Sequence, residues 1–238
     1  NKFKNYTTNI DGIKIHFIKK KGSSENSEPL LLMHGWPGSI IEFLNIIEKL
    51  AHPEKFGGNE KDSFDVIVPS LPGFGFSGSL SKPMGPRKMA EILNKLMIES
   101  LGYKDYMAQG GDWGATIANW LGYDHSNFCK AIHINCLTMR HPEGPQSDEE
   151  RNWQKKFNED QIMQEGYRTQ QATKPQSLGY GMMDSPVGIA AWIIEKMHSW
   201  SDLKNNDIES VYSKDILLAN IMIYILTKTF DTASWIYF

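Results

Sequence analysis

Hydrophobic and polar residues alternate regularly at the start of the chain. Over residues 5–20 they alternate with a period of two on either side of Asp11 and Gly12, a pair that is typical of a tight hairpin turn. Residues 29–34 then form a short, unbroken apolar run, as in a strand that is buried on both faces of a parallel sheet. The pattern predicts a β-hairpin followed by the first strand of a parallel sheet.

The next part of the chain repeats a strand-then-helix order. Ser39 followed by Glu42 forms a capping box, which marks the start of the first helix. Strands and helices that alternate in this way predict a parallel sheet with helices on both of its faces. The predicted elements are strands at 64–68, 106–109 and 130–135 and helices at 40–50, 87–101 and 113–123.

The hydrophobic pattern changes after residue 138. From residue 148 onward it is mostly that of helices, with loops at 174–175 and 184–186. We interpret residues 1–138 as an α/β core and residues 139–238 as a helical cap over it.

Composition and charge exclude several classes of protein. The chain has 238 residues, 40% of them hydrophobic and 22% charged, which is the balance of an ordinary globular protein with a sizeable core. Its net charge of -3 gives no electrostatic reason to expect a nucleic acid as partner. No apolar run reaches the roughly 18–20 residues of a membrane-spanning helix, and no signal peptide opens the sequence. Cys129 and Cys136 are expected to be reduced thiols, which favours a reducing compartment such as the cytoplasm.

A cluster of glycines surrounds Asp112 at a predicted strand–helix junction, where residues 110–114 read GGDWG. A nucleophile elbow is a sharp strand–turn–helix whose strained backbone leaves room only for small residues two positions before and after the nucleophile. Gly110 and Gly114 occupy those positions. The alternative is an ordinary turn in which Asp112 caps the helix; the glycines favour the elbow.

An aspartate at such an elbow implies chemistry different from that of a serine. Its carboxylate needs no base to remove a proton, and it attacks an sp³ carbon such as that of an epoxide or an alkyl halide. The product is an ester of Asp112, whose hydrolysis requires an activated water and an oxyanion hole. Residues 34–38, HGWPG, follow the first core strand, so we expect the backbone N–H groups of Trp36 and Trp113 to form that hole. His34 is expected to hydrogen-bond the loop from beneath rather than to transfer protons.

A second glycine-rich segment, GFGFSG at residues 73–78, formally matches the dinucleotide-binding fingerprint. That fingerprint requires a helix to start at once, so that the helix N-terminus meets the pyrophosphate. Here Pro83, Gly85 and Pro86 precede any helix, and the segment is interpreted as a loop at the rim of the site. We therefore expect no nucleotide, no other cofactor and no metal.

Several motifs together resemble one enzyme family. Residues 34–39, 69–77 and 110–114 are closely similar to epoxide hydrolases of the α/β-hydrolase superfamily, in the microsomal and juvenile-hormone-type branch. The resemblance covers nearly the whole chain and continues into residues 166–176 and 184–193 of the cap. It implies an α/β-hydrolase fold, with a parallel sheet core and a helical cap.

The resemblance also implies an activity and the residues that carry it. The activity is that of an epoxide hydrolase, which opens a small apolar epoxide to a vicinal diol through an ester of Asp112. In this family two cap tyrosines hydrogen-bond the epoxide oxygen and protonate it, and by motif position they are Tyr167 and Tyr237. A phenol suits this role because its reference pKa near ~10 keeps it protonated at neutral pH. Without the motif, each tyrosine would be interpreted as an amphipathic core residue.

The family's general-base histidine and its charge-relay acid follow the cap, on the last core strands. None of the seven histidines here matches that position, and Asn135 stands where some hydrolases carry the acid. We therefore expect a sheet without the C-terminal core strands, a strand edge that favours homo-oligomers, and an Asp112 ester that forms but does not turn over. Since the sequence begins with Asn1 rather than Met and ends abruptly, we interpret it as a fragment. A naturally shortened paralogue is the alternative.

Two other functions stay open at this point. A haloalkane dehalogenase also uses an aspartate nucleophile, often followed by a tryptophan that binds halide, and Asp112 with Trp113 fits both enzymes. A dehalogenase has no need for paired phenols, so the role of Tyr167 distinguishes the two. A non-catalytic binding protein on a hydrolase scaffold is the other alternative, and the missing histidine would permit it.

Overall fold

The computed structural model describes residues 3–136 and 141–238, and within these ranges the chain forms one six-stranded sheet with helices on both faces. The strands lie in the order β1-β2-β4-β3-β5-β6. Their bounds are Asn5–Ile10 (β1), Ile13–Lys20 (β2), Glu28–Met33 (β3), Phe64–Pro69 (β4), Tyr106–Gly110 (β5) and Cys129–Ile134 (β6).

The predicted hairpin is present. Strands β1 and β2 pair antiparallel, with Ile10 opposite Ile13. Asp11 and Gly12 form the turn with φ angles of 52° and 81°, the left-handed backbone that a two-residue hairpin turn requires. Strand β2 also pairs antiparallel with β4, so the sheet is mixed, while β4, β3, β5 and β6 are parallel as predicted.

The parallel strands are largely apolar because both of their faces are covered. Successive side chains point to opposite faces, so each strand contributes to two separate hydrophobic clusters. One cluster contains Leu31, Met33 and Ile67; the other contains Leu30, Leu32, Val66 and Val68.

The helices of the core follow the predicted order with two differences in shape. The predicted helix at 40–50 is split into a 3-10 turn, Ile40–Phe43, and a short helix α1, Ile47–Ala51. The predicted helix at 87–101 is α2, Pro86–Lys95, continued by a π-helical turn, Leu96–Ser100. Helix α3 spans Trp113–Asp124. The 3-10 geometry also changes the predicted cap, because the Ser39 hydroxyl accepts from the N–H of Ile41 (3.3 Å).

The rest of the chain is helical, as predicted, and its helices end at the predicted loops. The bounds are Asp148–Gln164 (α4), Gly166–Thr173 (α5), Pro175–Met183 (α6), Pro186–Ser199 (α7), Lys214–Thr227 (α8) and Phe230–Ser234 (α9), followed by a 3-10 turn, Trp235–Tyr237. The predicted boundary between residues 138 and 139 lies outside the described residues, so the division into core and cap stays a prediction.

The helices after residue 148 are attached to the sheet through a shared hydrophobic cluster. Ile193 of α7, Ile221 of α8 and Phe230 of α9 are buried in the same cluster as Leu31 and Met33 of β3. Both cysteines are free thiols, as expected. No single helix in the described parts of the chain is long and apolar enough to cross a membrane; one pair of helices, Lys214–Thr227 with Phe230–Tyr237, passes such a test only together, with a bend of 107° between them.

Strand β6 forms one edge of the sheet. It pairs with β5, and within the described ranges no strand pairs with its other side. The residues Lys130, Ala131, Ile132 and His133 of this strand are exposed. The edge expected from the sequence is therefore present, whereas self-association stays a prediction.

We predict that Gly114→Ala lowers the free energy of unfolding by about 3 kcal/mol or more, because the new Cβ would overlap the backbone carbonyl of Met33, which belongs to the central strand and cannot move aside. Gly181→Ala is the matched control. Gly181 lies in α6 with open space at its Cβ position, and alanine there stabilises a helix by up to about 1 kcal/mol. Urea unfolding of both variants measures the difference; equal stabilities would contradict this packing.

Candidate active site

Asp112 lies in a strained turn between β5, which ends at Gly110, and α3, which begins at Trp113. Its φ and ψ angles are 50° and -127°, a region that non-glycine residues rarely adopt. A Cβ at Gly110 would overlap the backbone carbonyl of Gly114. The side chain of Asp112 makes no capping hydrogen bond to α3, so the ordinary helix-cap interpretation is wrong and the turn has the geometry of the elbow.

The carboxylate of Asp112 is held by a backbone N–H group of the loop after β3. The N–H of Trp36 donates to Oδ1 at 2.8 Å, and the N–H of Trp113 lies close enough to lower the pKa of the carboxyl group. Burial raises the pKa of Asp112 above its ordinary value, and the two N–H groups partly offset that rise. Gly35 permits the approach, because a Cβ there would overlap Asp112 Oδ1. The Trp36 N–H therefore binds this carboxylate and the Trp113 N–H lies beside it, whereas their role as oxyanion donors stays a prediction.

His34 supports the loop from beneath, as expected. Its Nε2 accepts from the N–H of Leu71 (3.2 Å) and its Nδ1 lies 3.0 Å from the carbonyl oxygen of Gly35, so Nδ1 carries the proton. Burial lowers the pKa of His34 to about 4. The ring is therefore neutral at pH 7 and is fully occupied by hydrogen bonds.

Helix α8 holds the same loop from the opposite side, through two residues that sequence reasoning missed. Asn220 donates to the carbonyl of Pro37 (2.8 Å) and accepts from the hydroxyl of Ser39 (2.7 Å). The Tyr224 hydroxyl donates to the carbonyl of Gly38 (2.6 Å). These two side chains stand four residues apart on an otherwise apolar stretch, so they share one face of the helix. Two polar residues with this spacing in an apolar helix are the sequence signal by which Asn220 and Tyr224 could have been identified.

Tyr167 and Tyr237 are brought together, although they stand 70 residues apart in the sequence. Tyr167 lies in α5 and Tyr237 in the final 3-10 turn, and their ring centres are 5.6 Å apart at an interplanar angle of 84°. The Tyr167 ring stacks on Trp36 at 5.3 Å, and the Tyr237 ring meets Trp113 edge-on at 4.9 Å. The five residues predicted from the sequence, including Asp112, therefore form one cluster.

Both phenols stay protonated at neutral pH. The pKa of Tyr167 and that of Tyr237 are raised mainly by burial and further by the negative charge of Asp112. Among the described residues, the buried Tyr237 hydroxyl has no hydrogen-bond partner of acceptable length and angle, although Tyr167 and Trp113 lie close enough to affect its pKa. A buried O–H donor without an acceptor is available to a ligand.

A cavity of about 440 Å³ opens beside Asp112, between the loop at 34–38 and helices α7 and α8. Neither phenol lines this cavity, whereas the indole of Trp36, which contacts both phenol rings, does line it. The cavity also contains two charged residues that the sequence did not point to, Glu42 and Lys196. The Lys196 ammonium forms an ion pair with Glu195 (2.6 Å) and lies over the Tyr167 ring.

Neither His34 nor His133 is hydrogen-bonded to Asp112. His34 is buried and its ring is already hydrogen-bonded to other groups, and His133 lines a different cavity. Asn135 lies beside Gly111, whose absent Cβ leaves room for the Asn135 amide oxygen, and an amide supplies no negative charge. The described residues also contain no group of three or more His, Cys, Asp or Glu that could hold a metal ion.

We predict that Asn220→Ala lowers the free energy of unfolding by about 2 kcal/mol, because it leaves the buried groups of Ser39 and Pro37 without partners. Leu218→Ala, an exposed position on the same helix, is the control and should change stability by less than about 0.5 kcal/mol. Chemical denaturation with both variants tests this, and an Asn220→Ala variant as stable as the control would show that α8 does not hold the loop.

Comparisons with known proteins show which families and proteins this chain is similar to. A family model described as the alpha/beta hydrolase fold matches residues 28–178, and one described as the epoxide hydrolase N terminus matches residues 1–43. A protein of Stigmatella aurantiaca is 42% identical over 100% of this chain and 54% of its own length. Epoxide hydrolase 1 of Sus scrofa is 35% identical over 100% of this chain and 58% of its own length. Juvenile hormone epoxide hydrolase 1 of Ctenocephalides felis is 37% identical over 100% and 56%.

Solved structures give the same result. The crystal structure of juvenile hormone epoxide hydrolase from Bombyx mori matches with a TM-score of 0.86 and 31% identity, covering 99% of this chain and 60% of that one. The structure of Aspergillus niger epoxide hydrolase matches with a TM-score of 0.82 and 31% identity, covering 99% and 60%. The chain thus spans somewhat more than half the length of its relatives. Because the fold model covers well over half of it, the chain belongs to the α/β-hydrolase fold family.

Proposed function

We propose that this chain carries the nucleophile and the acid groups of an epoxide hydrolase, which opens a small epoxide to a vicinal diol through an ester of Asp112. One observation carries the proposal: the Asp112 carboxylate, bound by the N–H of Trp36, lies in one cluster with two protonated phenols. The similarity to epoxide hydrolases of Sus scrofa, Ctenocephalides felis and Bombyx mori supports it.

In the first step, Asp112 attacks a ring carbon of the epoxide. Oδ1 is bound by the Trp36 N–H, so the second oxygen is the nucleophile. The C–O bond of the ring breaks as the new ester bond forms, and the leaving oxygen takes a proton from Tyr167 or Tyr237. The raised pKa of each phenol keeps that proton in place until the alkoxide develops.

In the second step, water attacks the ester carbon of Asp112 and gives one proton to the phenolate that the first step left. The ester C–O bond to the substrate breaks, and the departing alkoxide takes the other water proton, so the diol leaves and Asp112 is again a carboxylate. During the attack the negative charge develops on the oxygen that faces the N–H groups of Trp36 and Trp113, which are already in place to stabilise it. The same pair of donors therefore serves both steps.

Two further candidates are distinguished by specific observations. A haloalkane dehalogenase would use Asp112 and the Trp113 indole but has no use for the buried, unpartnered Tyr237 hydroxyl. A non-catalytic binding protein would have no reason to keep Asp112 in a strained backbone conformation. The apolar substrate, the cytoplasmic location and self-association are likewise proposals, supported by the aromatic cluster, the free thiols and the exposed β6 edge respectively.

We predict that incubation with styrene oxide, quenched at short times, adds one epoxide mass to the chain at Asp112. Peptide mapping identifies the position. Asp112→Asn should abolish the adduct because the amide is not a nucleophile, whereas Asp124→Asn, at the exposed far end of α3, should form it normally. A chain without an adduct at Asp112 would contradict the proposed function.

We predict that Tyr167→Phe and Tyr237→Phe each slow adduct formation from the epoxide by roughly 100-fold, because each removes a proton donor to the leaving oxygen. Tyr180→Phe, which alters an exposed phenol on α6, is the control. Adduct formation from 1-bromobutane, which needs no proton donor, should be unaffected in all three variants. Loss of the alkyl bromide reaction together with the epoxide reaction would indicate a packing role for the phenols, whereas an unchanged epoxide reaction would favour the dehalogenase.

A further inference from the structure

In the described part of the chain, several buried side-chain donors have no acceptor. They are the indole N–H groups of Trp36 and Trp235, the amide NH₂ of Gln171 and the hydroxyl of Tyr237. All of them lie in the loop at 34–38, in α5 or in the final 3-10 turn, which are segments that form the aromatic cluster around the phenols. A set of unpartnered groups that are all donors fits a ligand that carries acceptor oxygens.

Gln171 is the donor of this set whose orientation is fixed by a hydrogen bond. It lies in α5 and is fully buried, with 0% of its surface exposed. The indole N–H of Trp192 in α7 donates to its amide oxygen at 3.0 Å. An indole nitrogen is only a donor, so this bond determines which end of the amide is the oxygen. The NH₂ group therefore cannot find a partner by exchanging places with the oxygen.

Gln171 lies on the face of α5 that carries Tyr167. It follows Tyr167 by four residues, so the two residues are neighbours on the helix surface, with Cβ atoms about 5–6 Å apart. Helix α5 also packs against the final 3-10 turn, which carries Tyr237. Gln171 is therefore placed one helical turn from a phenol that is proposed to protonate the epoxide oxygen.

A purely structural role accounts for only half of this amide. The bond to Trp192 joins α5 to α7 and uses the amide oxygen alone. A buried NH₂ group without an acceptor costs free energy, which an apolar side chain at position 171 would avoid. A ligand that brings an acceptor to the NH₂ group removes this cost.

We infer that Gln171 is a substrate-binding residue, which donates a hydrogen bond from its amide to an oxygen atom that the substrate carries a few bonds from the epoxide ring. The inference rests on the proposed function, because it names the substrate class of the same site. That class is epoxides with an ester or ether oxygen beside the ring, rather than plain alkyl epoxides. A site built to bind an oxygen discriminates against an analogue without one, because the amide then stays unpaired.

Three epoxides with the same number of chain atoms test this inference: glycidyl butyrate, butyl glycidyl ether and 1,2-epoxyoctane. They carry an ester, an ether and no further oxygen, respectively. Gln171→Met keeps the length of the side chain and removes the amide. It should slow adduct formation at Asp112 from glycidyl butyrate by roughly 10-fold and change that from 1,2-epoxyoctane by less than about twofold. The ether should show a smaller loss than the ester, because one helical turn between Tyr167 and Gln171 favours the more distant carbonyl oxygen.

Gln170→Met is the matched control, because the neighbouring Gln170 amide binds the carbonyl of Lys174 at the exposed end of the same helix. Trp192→Phe is a second variant that applies even where Gln171→Met does not fold. It keeps the Gln171 amide and removes the bond that orients it, so a loss of about threefold is expected, confined to the two oxygenated epoxides. Equal losses for all three epoxides, or no loss for any of them, in a folded variant overturn the role of Gln171, since a packing role does not distinguish the substrates.

Absence of an adduct from all three epoxides overturns the proposed function instead, and a second measurement still decides the role of Gln171. In a chain labelled with ¹⁵N-glutamine, the side-chain amide resonance of Gln171 is identified by its loss in Gln171→Met or by its displacement in Trp192→Phe. This resonance should shift when glycidyl butyrate is added and stay in place with 1,2-epoxyoctane. A resonance that responds equally to both compounds, or to neither, overturns the inference.

Discussion

The hydrogen bond from the Trp36 N–H to Asp112 Oδ1 is the contact on which the site depends. It joins the loop after β3 to the turn after β5, two neighbouring parallel strands whose carboxyl ends meet at the same edge of the sheet. The two segments can come within hydrogen-bond distance because both consist largely of glycine at the point of closest approach. Without Gly35 the loop would be displaced by the Asp112 side chain, and the carboxylate would lose one of the two donors that offset its burial.

Everything else around the carboxylate keeps that loop in position. His34 supports it from the core, while Asn220 and Tyr224 bind its carbonyl groups from α8. A helix of the second half of the chain therefore helps to hold the loop that carries the Trp36 N–H, the proposed oxyanion donor. Any movement of α8 relative to the sheet would displace the Trp36 N–H, because the hydrogen bonds of Asn220 and Tyr224 join this helix to the loop.

The sequence was sufficient for the sheet but not for the full environment of the site. Apolar runs such as residues 29–34 and 64–68 identified strands to within a residue or two, because a strand buried on both faces has little room for polar side chains. The elbow could also be predicted, since its glycines are required by local backbone geometry. The split of the helix at 40–50 could not be predicted, because a 3-10 turn and an α-helix share the same hydrophobic spacing. The cavity beside Asp112 could not be predicted either, because α7 and α8 meet the loop at 34–38 only in the tertiary fold.

The strained backbone at position 112 is stabilised by its neighbours rather than by its own side chain. Gly110 and Gly114 make space for the turn, and β3 and α3 fix its two ends. The identity of the residue at its tip is therefore nearly independent of the fold. An evolving lineage can exchange the nucleophile there, for example a carboxylate for a hydroxyl, and so move between alkyl and acyl substrates without rebuilding the scaffold. The same elbow can therefore carry different nucleophiles, which explains how one fold serves reactions as different as ester cleavage and ring opening.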